Sequence, residues 1–165
     1  MIKQGLLSEF NHEAENTRKL LKAIPDSALD YRPQPHLWSV GELARHIANI
    51  YSWYDGTFNY DRFDINNLKR KEYEVTAANI LQEFEENYAQ AKEVLENSDE
   101  SQYFNEWSLV SGDQTLIPPG PKVAMARGFL YNHSYHHRGE LVAHLRATGN
   151  KVPGLYGPTY EDIHG

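Results

Sequence analysis

The sequence predicts an all-α fold, a four-helix bundle, in a single domain that covers residues 1–165. Four segments of about 20 to 27 residues each repeat apolar side chains at every third or fourth position, as amphipathic helices do. Prolines and glycines cluster between those segments, where the chain must turn. The length of 165 residues lies within the usual range for one domain.

The first predicted helix covers residues 2–24 and ends before Pro25. Its apolar side chains recur at three- and four-residue spacing, and they are Leu6, Leu7, Phe10, Ala14, Leu21 and Ile24. The segment that follows, PDSALDYRPQPH, contains three prolines. Because proline interrupts helical hydrogen bonding, we expect this segment to be irregular.

The second predicted helix has the clearest start in the chain. In the stretch WSVGEL, Ser39 takes the N-cap position and Glu42 follows three residues later, which is the pattern of a reciprocal capping box. Trp38 and Leu43 occupy the two positions of a hydrophobic staple around that cap. The apolar stripe then predicts a helix that continues to Phe58.

The second half of the chain supplies two more helices. A charged linker at residues 59–74 leads to the third predicted helix, residues 75–97. Residues 101–121 carry two short runs of aromatic and β-branched side chains around SGDQ, which predicts a small hairpin or an irregular loop. PPGP ends that segment before the fourth helix, residues 122–148, which Gly149 closes. The tail beyond is rich in proline and glycine and is predicted to be irregular.

The composition excludes several classes of function. There is no cysteine, so the chain forms neither disulfides nor thiolate metal sites, and any reacting thiol must arrive as a substrate. The net charge is −7 and the basic residues are scattered, apart from a solvated KRK cluster at 69–71, so we expect no nucleic-acid partner. No apolar run approaches the roughly 18 residues of a membrane span, and the N-terminus lacks a signal-peptide pattern. We therefore expect no membrane partner and a cytoplasmic location.

The fourth predicted helix carries four of the chain's eight histidines, in the stretch NHSYHHRGELVAHLR at residues 132–146. On a regular helix His133, His137 and His144 fall on the side of the apolar stripe, whereas His136 falls at its edge. His133 and His137 are about 6 Å apart along the axis, so both can reach one metal ion. His144 lies about 10 Å beyond His137, which is too far to share that ion.

A catalytic zinc site has three protein ligands and one open position, so this pair needs a third ligand. In a bundle that ligand should come from a neighbouring helix, and the residue pattern alone leaves both His46 and His12 as candidates. His36 and His164 lie in irregular segments and are weaker ones. For His46 the structural alternative is a hydrogen-bonded histidine in the core or at its rim. Ser134 replaces the glutamate of the H-E-x-x-H motif, which disfavours a metalloprotease.

Three segments together resemble the DinB/YfiT-like family of metalloenzymes. They are LWSVGELARHIANI, NHSYHHRGELVAHLRATG and VPGLYGPTYED, in the family's order and spacing. The resemblance implies a four-helix bundle, often a homodimer, that holds a divalent metal ion with three histidines. Carried over by position, those ligands are His46, His133 and His137. Zinc is the first expectation for the metal, with nickel, iron or another divalent ion as alternatives.

The resemblance also implies a function. Characterised members include thiol-dependent transferases and isomerases, so we expect a metal-dependent hydrolase or S-transferase that uses metal-activated water or a low-molecular-weight thiol on a small-molecule substrate. The alternative is a non-catalytic binding or dimerisation module in which the metal only joins helices two and four. We expect substrate contacts from residues 101–121 and from Tyr156 and Tyr160 in the tail.

One position departs from the family pattern, because Glu140 stands where H-R-G is usually followed by glutamine. A carboxylate adds a negative charge beside His137 that an amide lacks. Glu140 is expected to orient a ligand imidazole as a hydrogen-bond acceptor, which raises the basicity of that ligand. Two other roles are open to it, that of the catalytic general base near the metal and that of an ion-pair partner of Arg138 or of a cation on the first helix.

Overall fold

The computed structural model describes residues 1–69 and 71–164, so Arg70 in the basic cluster at 69–71 lies outside the described residues. Its main helical segments are α1 (Ile2–Lys22), α2 (Val40–Ile50) continued by α3 (Tyr54–Phe58), α4 (Ala77–Asn97), and α5 (Lys122–Ala126) continued by α6 (His133–Ala147). Both α1 and α2 pack against α4 and against α6, which closes a four-helix arrangement. The predicted helical character of the fold is confirmed. A short helix, α7 (Tyr160–His164), lies in the tail.

The predicted starts and ends of the helices agree well with the structure where the local signals are strong. Ser39 Oγ accepts the backbone N–H of Glu42 at 3.2 Å, and Glu42 Oε2 accepts the N–H of Ser39 at 2.7 Å, so the capping box is present. Trp38 was expected in a staple over this cap, but 42% of its surface stays exposed. Within the described ranges, no helix combines the length and apolarity needed to cross a membrane.

Two of the predicted helices are interrupted in the structure. The second breaks at a 3₁₀ turn, Tyr51–Trp53, between α2 and α3. The fourth passes through a π-helical segment, Arg127–Asn132, between α5 and α6. A π-helical turn takes in one residue more than an α-helical turn, and such turns are frequent at functional sites. The regular helix α6 therefore begins at His133, the first of the histidines that the sequence singles out.

A three-stranded sheet among the described residues departs from the all-α prediction. β2 (Glu106–Ser111) and β3 (Gln114–Pro121) form an antiparallel hairpin, which is one of the two alternatives for residues 101–121. Gly112 supplies the positive φ of 59° in the turn between them. β1 (Arg62–Asp64) pairs in parallel with β2 and lies inside the segment that the sequence predicts to be a charged linker.

The strand β1 is held by one buried side chain, that of Phe63. Its ring centroid lies 6.5 Å from that of Trp107 and 6.3 Å from that of Phe129. The indole N–H of Trp107 donates to the backbone carbonyl of Gly56 at 3.0 Å, which fixes β2 against α3. A Cβ atom on Gly56 would lie 2.5 Å from the Phe63 ring, so this close approach depends on glycine.

A buried ion pair joins α6 to α1 and to the tail. The guanidinium of Arg138, only 1% exposed, is paired with the Glu13 carboxylate and donates to the Glu13 backbone carbonyl at 2.7 Å. The Tyr156 hydroxyl donates to Glu13 Oε2 at 2.6 Å and contacts Arg138 as well. Tyr156 was expected to contact substrate, whereas in the structure its hydroxyl is engaged with this pair.

We predict that Gly56→Ala destabilises the fold. The added methyl group would overlap the Phe63 ring, and overpacking of this kind costs about 1–3 kcal/mol in the free energy of unfolding. Urea denaturation followed by circular dichroism measures this change. The matched control is Gly5→Ala on α1, where nothing lies within 4 Å of the new Cβ atom. A stability gain in both variants would contradict the described packing of β1 against α3.

Candidate metal centre

The packing of α2 against α6 brings together three histidines, His46 from α2 and His133 and His137 from α6. His46 Nε2 lies 3.1 Å from His133 Nε2, and the possible ligand atoms of the three residues all lie within 4.8 Å of one another. The ring centroid of His137 lies 4.6 Å from each of the other two. His137 is buried and the other two rings are half-buried. These are the three residues that the sequence predicts as metal ligands.

The remaining histidines lie elsewhere. His12, the alternative third ligand, contacts Asn16 within α1 and belongs to neither group of potential metal ligands formed by the described residues. His144 Nδ1 donates to the Glu140 backbone carbonyl at 2.7 Å. His164 stacks on Tyr160, with ring centroids 4.3 Å apart. The structure thus places His46, and not His12, beside His133 and His137. The residue pattern alone leaves that choice open.

Two of the clustered rings have their Nδ1 atoms engaged by α6 or by the π-helical segment before it. His137 Nδ1 lies 2.6 Å from Glu140 Oε2, and His133 Nδ1 lies 3.3 Å from the Phe129 carbonyl oxygen. Because a carboxylate or carbonyl oxygen only accepts, each Nδ1 carries the proton. In the neutral form of each ring the lone pair is then on Nε2, the nitrogen that remains to bind an ion.

Glu140 lies beside two histidines, because residues three and four apart share a helix face. Besides its contact with His137, its Oε1 lies 3.4 Å from Nε2 of His136, whose side chain is largely exposed. This arrangement matches the first role predicted for Glu140, which is to orient a ligand imidazole. The catalytic role stays a prediction. His136, which the sequence places at the edge of the apolar stripe, lies outside the three-histidine cluster.

Aromatic side chains enclose the cluster. The ring centroid of Trp38 lies 4.7 Å from that of His46 and 5.5 Å from that of His137. Trp53 lies at 5.6 Å from His46 and 5.4 Å from His133 on the other side. Burial, together with the neighbouring His137, lowers the pKa of His133 and so keeps this ring neutral. The sequence pattern marks Trp38 only as part of a hydrophobic staple and does not single out Trp53.

Trp38 lines two cavities next to the histidines. One, of about 150 Å³, is lined by Trp38, Glu42, Arg45, His46, Asn49 and Glu83. The other, of about 220 Å³, is lined by His36, Leu37, Trp38, Leu43, His137, Glu140 and His144. Residues 101–121 and the tail, from which the sequence predicts substrate contacts, line neither of them. The space next to the histidines is therefore shaped by α2, α4, α6 and the loop before α2.

The donor set fits a divalent metal ion. Two nitrogen ligands on one tetrahedral zinc ion lie about 3.3 Å apart, since each Zn–N bond is about 2.0–2.1 Å. The observed separation of 3.1 Å between His46 Nε2 and His133 Nε2 is close to that value. Neutral imidazole nitrogens suit zinc, nickel, iron and copper alike, so the donors do not single out one of these metals.

Comparison with known proteins places this chain among its relatives. A family model described as the DinB family matches residues 1–164. The uncharacterised protein YrdA of Bacillus subtilis strain 168 is 29% identical over 161 residues, which cover 94% of this chain and 89% of that protein.

Solved structures support the same assignment at the level of the fold. A DinB-like protein from Bacillus cereus ATCC 10987 superimposes with a TM-score of 0.72 at 23% identity, over 93% of this chain and 97% of that one. The DinB-like protein YjoA from Bacillus subtilis gives a TM-score of 0.72 at 21% identity, over 92% of this chain and 97% of that one. On the match over residues 1–164, the chain belongs to the DinB family.

Proposed function

We propose that this protein is a metal-dependent enzyme that holds one divalent ion between His46, His133 and His137 and acts on a small molecule. The observation that carries the proposal is the convergence of the three rings from two helices, with 3.1 Å between the Nε2 atoms of His46 and His133. Membership of the DinB family supports it. Zinc is the first choice of metal, and the family likeness supports a homodimer as the working form.

The proposed reaction is hydrolysis or transfer of a low-molecular-weight thiol. A divalent ion with an open position would lower the pKa of water or of a thiol and so supply the nucleophile. The chain has no cysteine, so a reacting thiol would be a second substrate. Glu140 keeps the His137 ring in the orientation that turns Nε2 away from the carboxylate. Trp38 and Trp53 cover the rings and limit the access of bulk water.

Untagged protein is expected to bind about one divalent ion per chain, and His137→Ala should abolish this binding, because two histidines seldom complete a zinc site. Elemental analysis of protein dialysed against zinc or nickel measures the metal content. The control is His144→Ala, the same substitution on α6 outside the three-histidine group, which should leave the metal content unchanged. Less than about 0.2 ions per chain in the unmodified protein, below the one ion that a three-ligand site requires, would reject the proposal.

Replacing Glu140 should separate the two roles predicted for it at the metal centre. If it orients His137, Glu140→Ala weakens metal affinity about 10- to 100-fold, since partners of metal-bound histidines contribute that much. Glu140→Gln keeps an acceptor for the Nδ1 proton and should recover most of the affinity. Competition with a metal-binding dye measures both. Normal metal affinity in both variants, combined with lost turnover in Glu140→Gln, would instead assign the general-base role to this residue.

The second candidate is a non-catalytic module in which the ion only joins α2 to α6. An ion that holds the fold together raises the melting temperature strongly, whereas a catalytic ion is removable at lower cost. We expect the chelated protein to keep its helical circular dichroism. Its melting temperature should lie within a few degrees of that of the metal-loaded protein, a difference of about 1 kcal/mol for a chain of this size. Loss of the folded state on chelation would favour the module over the enzyme.

A further inference from the structure

A buried carboxylate that the proposed chemistry does not use faces the space beside His46. Glu83, on α4, is only 5% exposed, and its side chain lines the cavity of about 150 Å³ that His46 also lines. Burying a carboxylate is costly unless hydrogen bonds or cations compensate. Among the described residues, the hydroxyl of Tyr73 donates to Glu83 Oε2.

Tyr73 holds this carboxylate in the cavity wall. Burial and the neighbouring Glu83 both raise the pKa of the Tyr73 phenol, so it keeps its proton and stays a donor. The guanidinium of Arg45 lies over the Tyr73 ring, 4.6 Å from its centroid, and donates to the Lys71 backbone carbonyl at 2.9 Å. Arg45 is thus engaged at the aromatic face of Tyr73 and at the loop before α4.

Three further side chains of this cavity offer groups that can contact a cation, whereas Arg45 adds the opposing charge of a guanidinium. Glu42 adds a second carboxylate, which also pairs with Arg32 at 3.3 Å, and Asn49 adds a buried amide whose Oδ1 is an acceptor. Trp38 adds an indole, the aromatic ring that binds cations best. A volume of about 150 Å³ is that of a cavity that holds one benzene-sized molecule, so the space suits a short chain or one ring.

We propose that this cavity binds the cationic nitrogen of a small amine, with Glu83 as the ion-pairing carboxylate and Trp38 as the aromatic face. The inference rests on the proposed function in one respect, namely that the amine belongs to the substrate of the metal centre. The carboxylates of Glu83 and Glu42 would also offset the repulsion between that amine and a divalent ion at His46.

Three probes of equal chain length but different charge test the proposal: butylamine, 1-butanol and butyrate. Calorimetric titration into metal-free and zinc-loaded protein should show that butylamine binds most tightly. Glu83→Gln keeps the shape of the side chain and an acceptor for Tyr73 but removes the charge. It should weaken butylamine about 10- to 100-fold, the usual value of a hydrogen bond to a charged group, and leave 1-butanol unchanged.

Glu86→Gln is the matched control, since it removes the same charge one turn along α4 from a side chain that does not line this cavity. Butylamine should bind that variant as it binds the unmodified protein. If butyrate or 1-butanol binds as tightly as butylamine, or if Glu83→Gln and Glu86→Gln behave alike, the proposal is wrong.

A second variant and two further readouts keep the test decisive. Melting curves should show Glu83→Gln at least as stable as the unmodified protein, because a buried amide costs less than a buried carboxylate. Trp38→Leu, at a partly exposed position, should weaken butylamine more than 1-butanol. Metal content is measured in each preparation. If the unmodified protein binds metal but shows no preference for butylamine, only this inference is rejected. If it binds no metal but still prefers butylamine, only the proposed enzyme is rejected.

Discussion

The packing of α2 against α6 is the contact on which the candidate site depends. Apolar side chains of these two helices are fully or almost fully buried, among them Leu43 and Ile47 of α2 and Leu141 of α6. Their burial stabilises the bundle, and the same contact places three imidazoles side by side, which is unfavourable without polar partners. The apolar core therefore supports a polar cluster at its edge. Under the proposed function, a metal ion would take up the Nε2 atoms that this cluster brings together.

Much of the fold could be predicted from the sequence because its signals are local. The capping box of Ser39 and Glu42 marks the start of α2, and the helical period of apolar residues marks α1 and α4. The strand β1 gave no such signal, because its pairing depends on one buried residue, Phe63, in a polar stretch. The π-helical segment before His133 was also missed, since its apolar residues fit an α-helical stripe equally well.

The candidate site was predictable to the extent that its residues lie close in sequence. His133 and His137 both belong to the regular helix α6, so the predicted spacing holds despite the π-helical segment before it. The choice of His46 over His12 followed from the family likeness, and the residue pattern alone did not make it. Glu83 and Trp38 were not predictable as neighbours of the site, because α4 and the loop before α2 meet only in the folded chain.

The buried pair of Arg138 and Glu13 bears on how the site would select its ion. Arg138 directly follows His137, so one face of α6 is anchored to α1 while the adjacent face presents the imidazoles to α2. Rotating α6 to suit a different ion would break a buried charge pair, which is strongly unfavourable. The imidazoles are thus held in place by the packing of the chain itself, and little reorganisation would accompany the binding of an ion. Discrimination among metals would then follow from how well each tolerates a fixed arrangement of nitrogens.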